Sequence, residues 1–233
     1  MTARRATARA RLAAAGATLL LVAARAPPAA AQVTGRGFVQ ASHLRFDASR
    51  SMEATTGSPT GFAYGGGGQI GIGRLFVQGG IERYEAAGRR VFVLDDRVFD
   101  LGIPNQITIT PLQLTAGYRS RGRVAGYGGG GIGMYRFSES APFGPQSGRP
   151  DSAPESAVVP PLGPPYGGDV RETHRSWHVL GGVETALLPW LWIGGEGQWT
   201  WVPDALGAGG VSAAFDETDL GGLTLRVKLS VGY

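Results

Sequence analysis

The sequence predicts an all-β protein, an eight-stranded antiparallel up-and-down barrel. Three observations lead to this fold class. Apolar and polar residues alternate at period two in eight segments, no long segment after residue 32 has a helical period, and the connections alternate between short and long. Successive side chains of a strand point to opposite faces, so this alternation indicates a sheet with one apolar and one polar face.

The first 31 residues predict a secretory signal peptide that is cleaved before Gln32. Leu12–Ala24 is an uncharged apolar stretch, too short for the roughly 20 residues that span a bilayer as a helix. Small residues, Ala29-Ala30-Ala31, follow it at the cleavage site. The positive residues that precede the stretch are Arg4, Arg5, Arg9 and Arg11. A membrane anchor, a plain amphipathic helix and an organellar transit peptide are the alternatives. We expect an exported chain with one mature domain, residues 32–233.

Composition excludes several classes of function. The net charge of +4 comes from the leader, which holds five basic residues and no acid. The remaining chain has 17 basic against 18 acidic residues, which argues against nucleic-acid binding. There is no cysteine and there are only three histidines, so disulfides and thiolate or histidine zinc sites are not expected. No metal and no cofactor is predicted.

The eight strands follow from the alternation, which is clearest in the last one. The predicted strands are 38–46, 62–72, 75–84, 107–119, 124–137, 176–187, 191–201 and 223–233. Pro111 interrupts the phase of the fourth strand, and we interpret it as a bulge. A shift of one residue in pairing would reverse both faces of a strand, so regular alternation specifies the register strongly.

The connections divide into two kinds. Short ones fall near residues 73–74, 120–122 and 188–189, and long ones at 47–61, 85–106, 138–175 and 202–218. This is typical of a transmembrane barrel in the bacterial outer membrane, with short periplasmic turns and long extracellular loops. An even number of strands places both chain ends on the periplasmic side. The third long loop is rich in proline at 142–165.

Charges on the polar face favour a membrane barrel over a soluble barrel with an apolar interior. Six charged residues of both signs are predicted for the interior: Glu82, Arg119, Glu184, Glu196, Arg226 and Lys228. Four tryptophans near strand ends are predicted to form an aromatic girdle: Trp177, Trp190, Trp199 and Trp201. About ten residues separate the two ends of the seventh strand, which is roughly 25 Å along the membrane normal at the usual tilt. Trp192 has the opposite phase.

Three motifs suggest chemistry but have simpler explanations. The glycine runs 65–68 and 128–131 lack the lysine and helix of a phosphate-binding loop, and we interpret them as strand glycines of a narrow barrel. His174, Ser176 and His178 share a strand face near Glu172 and Glu184, which leaves a Ser–His–acid site or a metal site as alternatives to solvated rim residues. Acids of the long loops could hold divalent cations shared with lipopolysaccharide phosphates, and solvated surface charge is the simpler interpretation; they are Asp95, Asp96, Asp100, Asp151, Asp169, Asp204, Asp216, Glu217 and Asp219.

Residues 36–233 resemble the small outer-membrane β-barrel family of the OmpA transmembrane domain, OmpX and OmpW. The resemblance rests on the leader, the eight strands, the glycine-rich fifth strand, the segment 192–197 and the alternating C-terminus. It implies that the last strand carries the signal read by the barrel-assembly machinery, at Leu225, Val227, Leu229, Val231 and Tyr233. The peptidoglycan-anchoring role of full-length OmpA-like proteins is not expected for this chain.

The sequence therefore predicts a monomeric outer-membrane protein with a structural or surface-interaction role, no catalysis, and membrane lipid, including lipopolysaccharide, as its surroundings. The barrel interior of an eight-stranded protein is normally filled by side chains. The alternatives are a narrow passage for small or apolar solutes, an enzyme acting on lipid A, and a secreted soluble barrel that binds an apolar ligand. The ligand or partner is not specified by the sequence.

Overall fold

The computed structural model describes residues 33–94, 97–140, 170–207 and 210–232. The predicted signal peptide, the proline-rich stretch 142–165 and Tyr233 lie outside these residues. In the part of the chain that is described, no helix is both long and apolar enough to cross a membrane.

The described chain contains eight strands and two short helices. The strands are β1 Val33–Phe46, β2 Thr60–Ile72, β3 Leu75–Leu94, β4 Arg97–Arg119, β5 Val124–Ser140, β6 Val170–Leu188, β7 Leu191–Trp201 and β8 Gly222–Gly232. Helix α1 (Ser49–Thr56) follows β1, and helix α2 (Gly210–Ala214) precedes β8. Each strand pairs antiparallel with its neighbours in the chain, and β1 pairs with β8, so the sheet closes into a barrel. The predicted up-and-down eight-stranded fold is confirmed.

The two ends of the barrel differ in their connections. At one end, called here the short-turn end, β2 and β3 are joined by Gly73 and Arg74, and β6 and β7 by Pro189 and Trp190. Gly73 has a φ of 66°, a conformation that glycine adopts without steric cost. The start of β1 and the end of β8 also lie here, because Arg36 pairs with Gly232. The opposite end is called the long-connection end.

The predicted long connection 85–106 is wrong. β3 continues to Leu94 and β4 begins at Arg97, so the two strands form a hairpin that extends beyond the neighbouring strand β2. The pairs Phe92–Phe99 and Val93–Val98 lie opposite each other in it. Aromatic and β-branched residues facing each other across an antiparallel pair stabilise such a ribbon. The connection 138–175 is also shorter than expected, since β5 reaches Ser140 and β6 starts at Val170.

The bulge expected at Pro111 is wrong as well. Pairing of β4 with β5 runs without a shift through Pro111, which lies opposite Tyr135. The irregularity between β3 and β4 lies instead between Arg89 and Val91. The phase of the apolar residues changes at Pro111 because the barrel interior changes there from polar to apolar. Ile107 and Ile109 point inward and are buried, whereas Leu112 and Leu114 point outward.

An apolar core fills the interior at the long-connection end. It unites residues from the strands with residues from the two long connections, and its buried members are Leu44, Phe46, Met52, Ala63, Tyr84, Ile107, Ile109, Tyr135, Val202, Ala205 and Leu220. Met52 belongs to helix α1, which therefore closes over the barrel. The helix ends at Gly57, whose φ of 80° allows its N–H to bond to the carbonyl of Glu53.

Candidate functional site

The interior of the other half of the barrel is polar and is crossed by an ion-pair network. Arg226 on β8 donates to both carboxylate oxygens of Glu82 on β3, at 3.0 and 2.6 Å. Its third nitrogen donates to Glu196 on β7 at 2.9 Å and to Gln198 at 2.5 Å. The three charged side chains are at most 3% exposed. A bidentate pair of this kind is strong and fixes the guanidinium in one orientation.

Lys228 extends the network toward the short-turn end, because it is the next inward-facing residue of β8 after Arg226. Its ammonium donates to the second oxygen of Glu196 at 2.8 Å and to Gln78 at 3.2 Å. The same nitrogen lies 4.7 Å from the ring centre of Phe38 and 5.3 Å from that of Tyr127. The aromatic faces attract the cation where water is scarce. Arg226 and Lys228 together balance Glu82 and Glu196, so the network has no net charge.

A second cluster lies in the interior close to the short-turn end. Glu184 on β6 pairs with Arg36 on β1 at 3.0 Å and with Arg119 on β4. The two guanidinium groups stand 4.1 and 4.5 Å from the ring centre of Trp192 on β7. This placement explains the opposite phase of Trp192, which points inward as a partner for two arginines.

Inward-facing glycines make room for these large side chains. Gly67 on β2 lies opposite Phe38, and a Cβ atom there would come within 2.6 Å of the Phe38 ring. Gly182 on β6 lies opposite Tyr127, and its Cβ would come within 2.6 Å of the tyrosine. The glycine runs 65–68 and 128–131 lie in strands β2 and β5, as interpreted from the sequence. Inward-facing glycines such as Gly67 and Gly182 leave the space that the large side chains opposite them occupy.

The residues predicted for the interior all lie on inward-facing positions, in two groups. Glu82, Glu196, Arg226 and Lys228 form the central network, whereas Arg119 and Glu184 belong to the second cluster. The predicted set of interior residues does not include the uncharged members that share these hydrogen bonds: Ser42, Gln78, Gln113, Tyr127 and Gln198. Their phase, which they share with the charges, is the signal that could have identified them. Arg36 was missed although it has the same phase on β1.

The alternative Ser–His–acid site is not assembled in this structure. Ser176 and His178 are buried in the interior, but the Ser176 hydroxyl has no hydrogen-bond partner among the described residues. His178 bonds through Nε2 to Thr115 at 2.8 Å, and His174 bonds to Glu172 at 3.0 Å. Glu184 is occupied by the two arginines near the short-turn end. A serine nucleophile needs a histidine within hydrogen-bond reach, which neither histidine provides.

No group of three or more metal-ligating side chains occurs within the described ranges. Several of the loop acids have structural partners instead. Asp100 pairs with Arg89 at 2.8 Å, and Asp219 accepts the backbone N–H groups of Val202 and Gly221. Glu217 accepts hydrogen bonds from the first turn of α1, from the Ser51 N–H at 2.8 Å and its hydroxyl at 2.5 Å. Asp95, Asp96, Asp151 and Asp169 lie outside the described residues.

The outer surface of the barrel carries an apolar belt. Every strand contributes an exposed apolar side chain to it: Val39, Ile70, Val77, Leu114, Ile132, Val179, Ile193 and Val227. Leu225, Leu229 and Val231 of β8 also face outward. Monomeric soluble proteins rarely expose a continuous apolar surface of this extent.

The four tryptophans of the predicted girdle lie at the two edges of this outer belt. Trp190 is in a turn at the short-turn end, and Trp177, Trp199 and Trp201 are together toward the other end, where Trp177 pairs with Trp201. Their side chains are between 38% and 52% exposed. Tyr118, also near the short-turn end, and Phe62 and Tyr64, near the other, face outward too.

Fold and interior together define a class: a small closed β-barrel that is apolar outside, with paired charges in one half of its interior and an apolar core in the other. Among solved structures the chain is similar to Neisserial surface protein A, with 12% identity, a TM-score of 0.48, and coverage of 86% of this chain and 95% of that one. It is also similar to the N-terminal β-barrel domain of Pseudomonas aeruginosa OprF, with 9% identity, a TM-score of 0.44, and coverage of 87% and 100%. A third is Ail of Yersinia pestis in complex with the heparin analogue sucrose octasulfate, with 11% identity, a TM-score of 0.46, and coverage of 86% and 98%.

These similarities are likenesses of fold. The eight-stranded closed barrel that the resemblance implies is the fold of the described chain. No protein-family model matches the sequence, and no curated protein matches it.

Proposed function

We propose that this chain is an integral outer-membrane protein whose barrel is a closed, filled scaffold and whose long-connection end faces outward to meet partners. One observation carries the proposal: the polarity of the barrel is inverted, with apolar side chains outside on all eight strands and ion pairs inside. Lipid satisfies the outer belt, and the closed sheet leaves no backbone edge unpaired in the hydrocarbon.

A structural or surface-interaction role is favoured over transport. The Arg226 network joins β8 to β3 across the lumen and to its neighbour β7, and the apolar core fills the interior beyond it. A pocket between Leu44, Phe46, Tyr135 and Leu220 has a volume of about 10 Å³, the space of a single water molecule. Two filled layers in series oppose the passage of a solute.

Export, membrane assembly and surroundings complete the proposal. The leader directs the chain across the inner membrane, and the alternating C-terminal strand is recognised by the barrel-assembly machinery. The protein stays in the outer membrane as a monomer, in contact with lipopolysaccharide in the outer leaflet.

The first test is electrophoresis of the extracted outer-membrane fraction, unboiled beside boiled. A closed membrane barrel is expected in that fraction and migrates faster before heating. Recovery of the protein in the periplasm without detergent, with no change in mobility, would instead favour the soluble barrel with an apolar ligand.

Two further measurements separate the remaining alternatives. In planar bilayers the filled barrel is expected to give no sustained unitary currents, and such currents would favour a narrow passage. Mass spectra of lipid A from overexpressing cells are expected to match those of cells without the protein. Loss of an acyl chain would favour the lipid A-modifying enzyme.

A further inference from the structure

A group of arginines lies on the outer face of the barrel, directly beyond the outer belt at the long-connection end. Arg136 is on β5, and Arg171 and Arg175 are on β6; all three are exposed. Arg175 is the next outward-facing residue of β6 beyond Trp177 in the direction of the long-connection end. Met134 on β5 lies opposite Arg175. The group therefore begins where the apolar surface ends.

The strand register places these arginines next to one another. Arg136 lies opposite Thr173, so Arg171 and Arg175 are its two diagonal neighbours on β6. Diagonal neighbours on one face of an antiparallel pair are about 7–8 Å apart, which long side chains can span. Hydroxyl residues occupy the adjoining outward positions: Thr108, Thr110, Ser138 and Thr173.

The charges of Arg136 and Arg175 are not balanced on the outer face. Arg136 and Arg175 form no hydrogen bond or ion pair in the described part of the chain, and the outward residues that face them on the neighbouring strands, Thr110, Thr173 and Met134, are uncharged. Arg83 on β3 shows the contrast, because it pairs with its outward neighbour Glu85.

We propose that Arg136 and Arg175, with Arg171 beside them, bind the phosphate groups of a glycolipid in the outer leaflet. The inference rests on the proposed membrane location, which sets the depth of the site. Acyl chains of such a lipid lie on Ile132, Trp177 and the rest of the outer belt, while its phosphates meet the arginines and hydroxyls. Arginine suits this ligand because its planar fork matches the geometry of a phosphate.

The test uses the full mature chain in nanodiscs of phosphatidylcholine, with lipid A as the probe. Bound lipid A is measured by native mass spectrometry over a range of lipid A contents. The variant is Arg136→Gln with Arg175→Gln. The matched control is Arg45→Gln with Arg83→Gln, which removes the same charge from exposed outward positions at the same end of the barrel, on β1 and β3. Lipid A lacking both phosphates and free inorganic phosphate distinguish a lipid-bound phosphate from the soluble ion.

Wild type and control are expected to retain lipid A, and the double variant is expected to bind it about 25-fold more weakly, from roughly fivefold for each arginine near an anionic surface. Dephosphorylated lipid A is expected to bind weakly to all three proteins. Equal losses in variant and control, equal binding of dephosphorylated lipid, or displacement of lipid A by millimolar phosphate would overturn the assignment.

Heat-dependent mobility of each reconstituted protein is recorded alongside. A barrel that inserts but shows no preference for phosphorylated lipid overturns the lipid site alone. A wild-type chain that fails to insert overturns the proposed membrane function and the lipid site with it.

Discussion

The two halves of the barrel interior are filled by different chemistry. Toward the short-turn end, Arg226 and Lys228 neutralise Glu82 and Glu196 within a cage of amides and aromatic rings. Toward the long-connection end, the interior is apolar and includes Met52 from helix α1. The same sheet encloses both, so the strand pattern alone does not determine what the lumen contains.

The difference shows what each half requires of its surroundings. The polar half is surrounded by the outer belt. Most aliphatic side chains there are turned outward, and the interior holds charged, amide and aromatic side chains. The other half lies beyond the outer belt, where apolar side chains are better turned inward, as in a soluble protein. The inversion at Pro111 marks the boundary on β4. One substitution in each half should lower the free energy of unfolding, by different amounts.

Arg226→Met should have the largest effect, because it leaves Glu82 and Glu196 buried without their shared partner. Removing one member of a buried ion pair costs about 3–5 kcal/mol. Urea unfolding of the protein folded in lipid vesicles measures it. Arg45→Gln, at an exposed outward position, is the control and should change the free energy of unfolding by less than about 0.5 kcal/mol.

Replacing Glu82 by Gln as well should recover most of this loss, since Glu196 keeps Lys228 as its partner and no buried charge is then left unpaired. A loss for Arg226→Met no larger than that of the control would show that the network adds little stability.

Ile109→Ala should rank next and tests the apolar half. Ile109 is 1% exposed within the apolar core, and truncating a buried isoleucine costs about 2–5 kcal/mol. Ile132→Ala is the matched control, because Ile132 is 61% exposed on the outer belt. Unfolding in detergent micelles and in vesicles would compare the two. Equal losses in both variants would contradict the assignment of Ile109 to a packed core.

Glu217→Ala should have a smaller and more local effect. Glu217 satisfies the N–H groups of Arg50 and Ser51 at the start of α1, which holds the helix over the apolar core. Loss of a helix cap costs about 0.5–2 kcal/mol. Hydrogen exchange at the amides of α1 should speed up, while exchange in β3 and β8 stays slow. Glu53→Ala on the exposed face of the helix is the control, and equal acceleration there would refute the capping role.

Asp100→Asn should have the smallest effect and contrasts an exposed ion pair with the buried network. The Arg89 guanidinium and the Gly102 N–H hold the pKa of Asp100 below its usual value of 3.8. Its contribution to stability is therefore complete above pH 3.8 and lost as the pH falls through the lower folded-state pKa. At neutral pH the variant should leave the unfolding transition unchanged, as is usual for exposed pairs.

NMR titration of the Asp100 carboxyl checks the direction of this shift. Arg89→Gln should return the pKa toward 3.8. An unshifted pKa of Asp100 in the wild type would show that the ion pair with Arg89 does not form in solution.

Much of the fold could be predicted from the alternation of apolar and polar residues, because this alternation determines which side chains face inward and how neighbouring strands pair. β8 shows this best: Arg226 and Lys228 were assigned to the interior from phase alone, and the structure places them there. The partners of Arg226 could not be derived, since Glu82 is 144 residues away and meets it only after the barrel closes. The surroundings of Trp192 could not be derived for the same reason, because its two arginine neighbours come from β1 and β4.

The prediction of a long connection at 85–106 was wrong for a different reason. The stabilising contacts of this segment are cross-strand pairs such as Phe92–Phe99, which a pattern read along a single strand does not reveal. Ile107 and Ile109 misled the phase of β4 because the rule that apolar residues face outward holds only within the outer belt. Local patterns do not report the height of a residue along the barrel.

Trp192 gives the protein a built-in optical reporter. Four of its five tryptophans point outward, and this one is enclosed between Arg36 and Arg119. Quenchers carried on lipid chains reach the outward indoles and spare the enclosed one. The fluorescence that survives such quenching therefore follows the closing of the lumen, separately from the arrival of the outer surface in the bilayer.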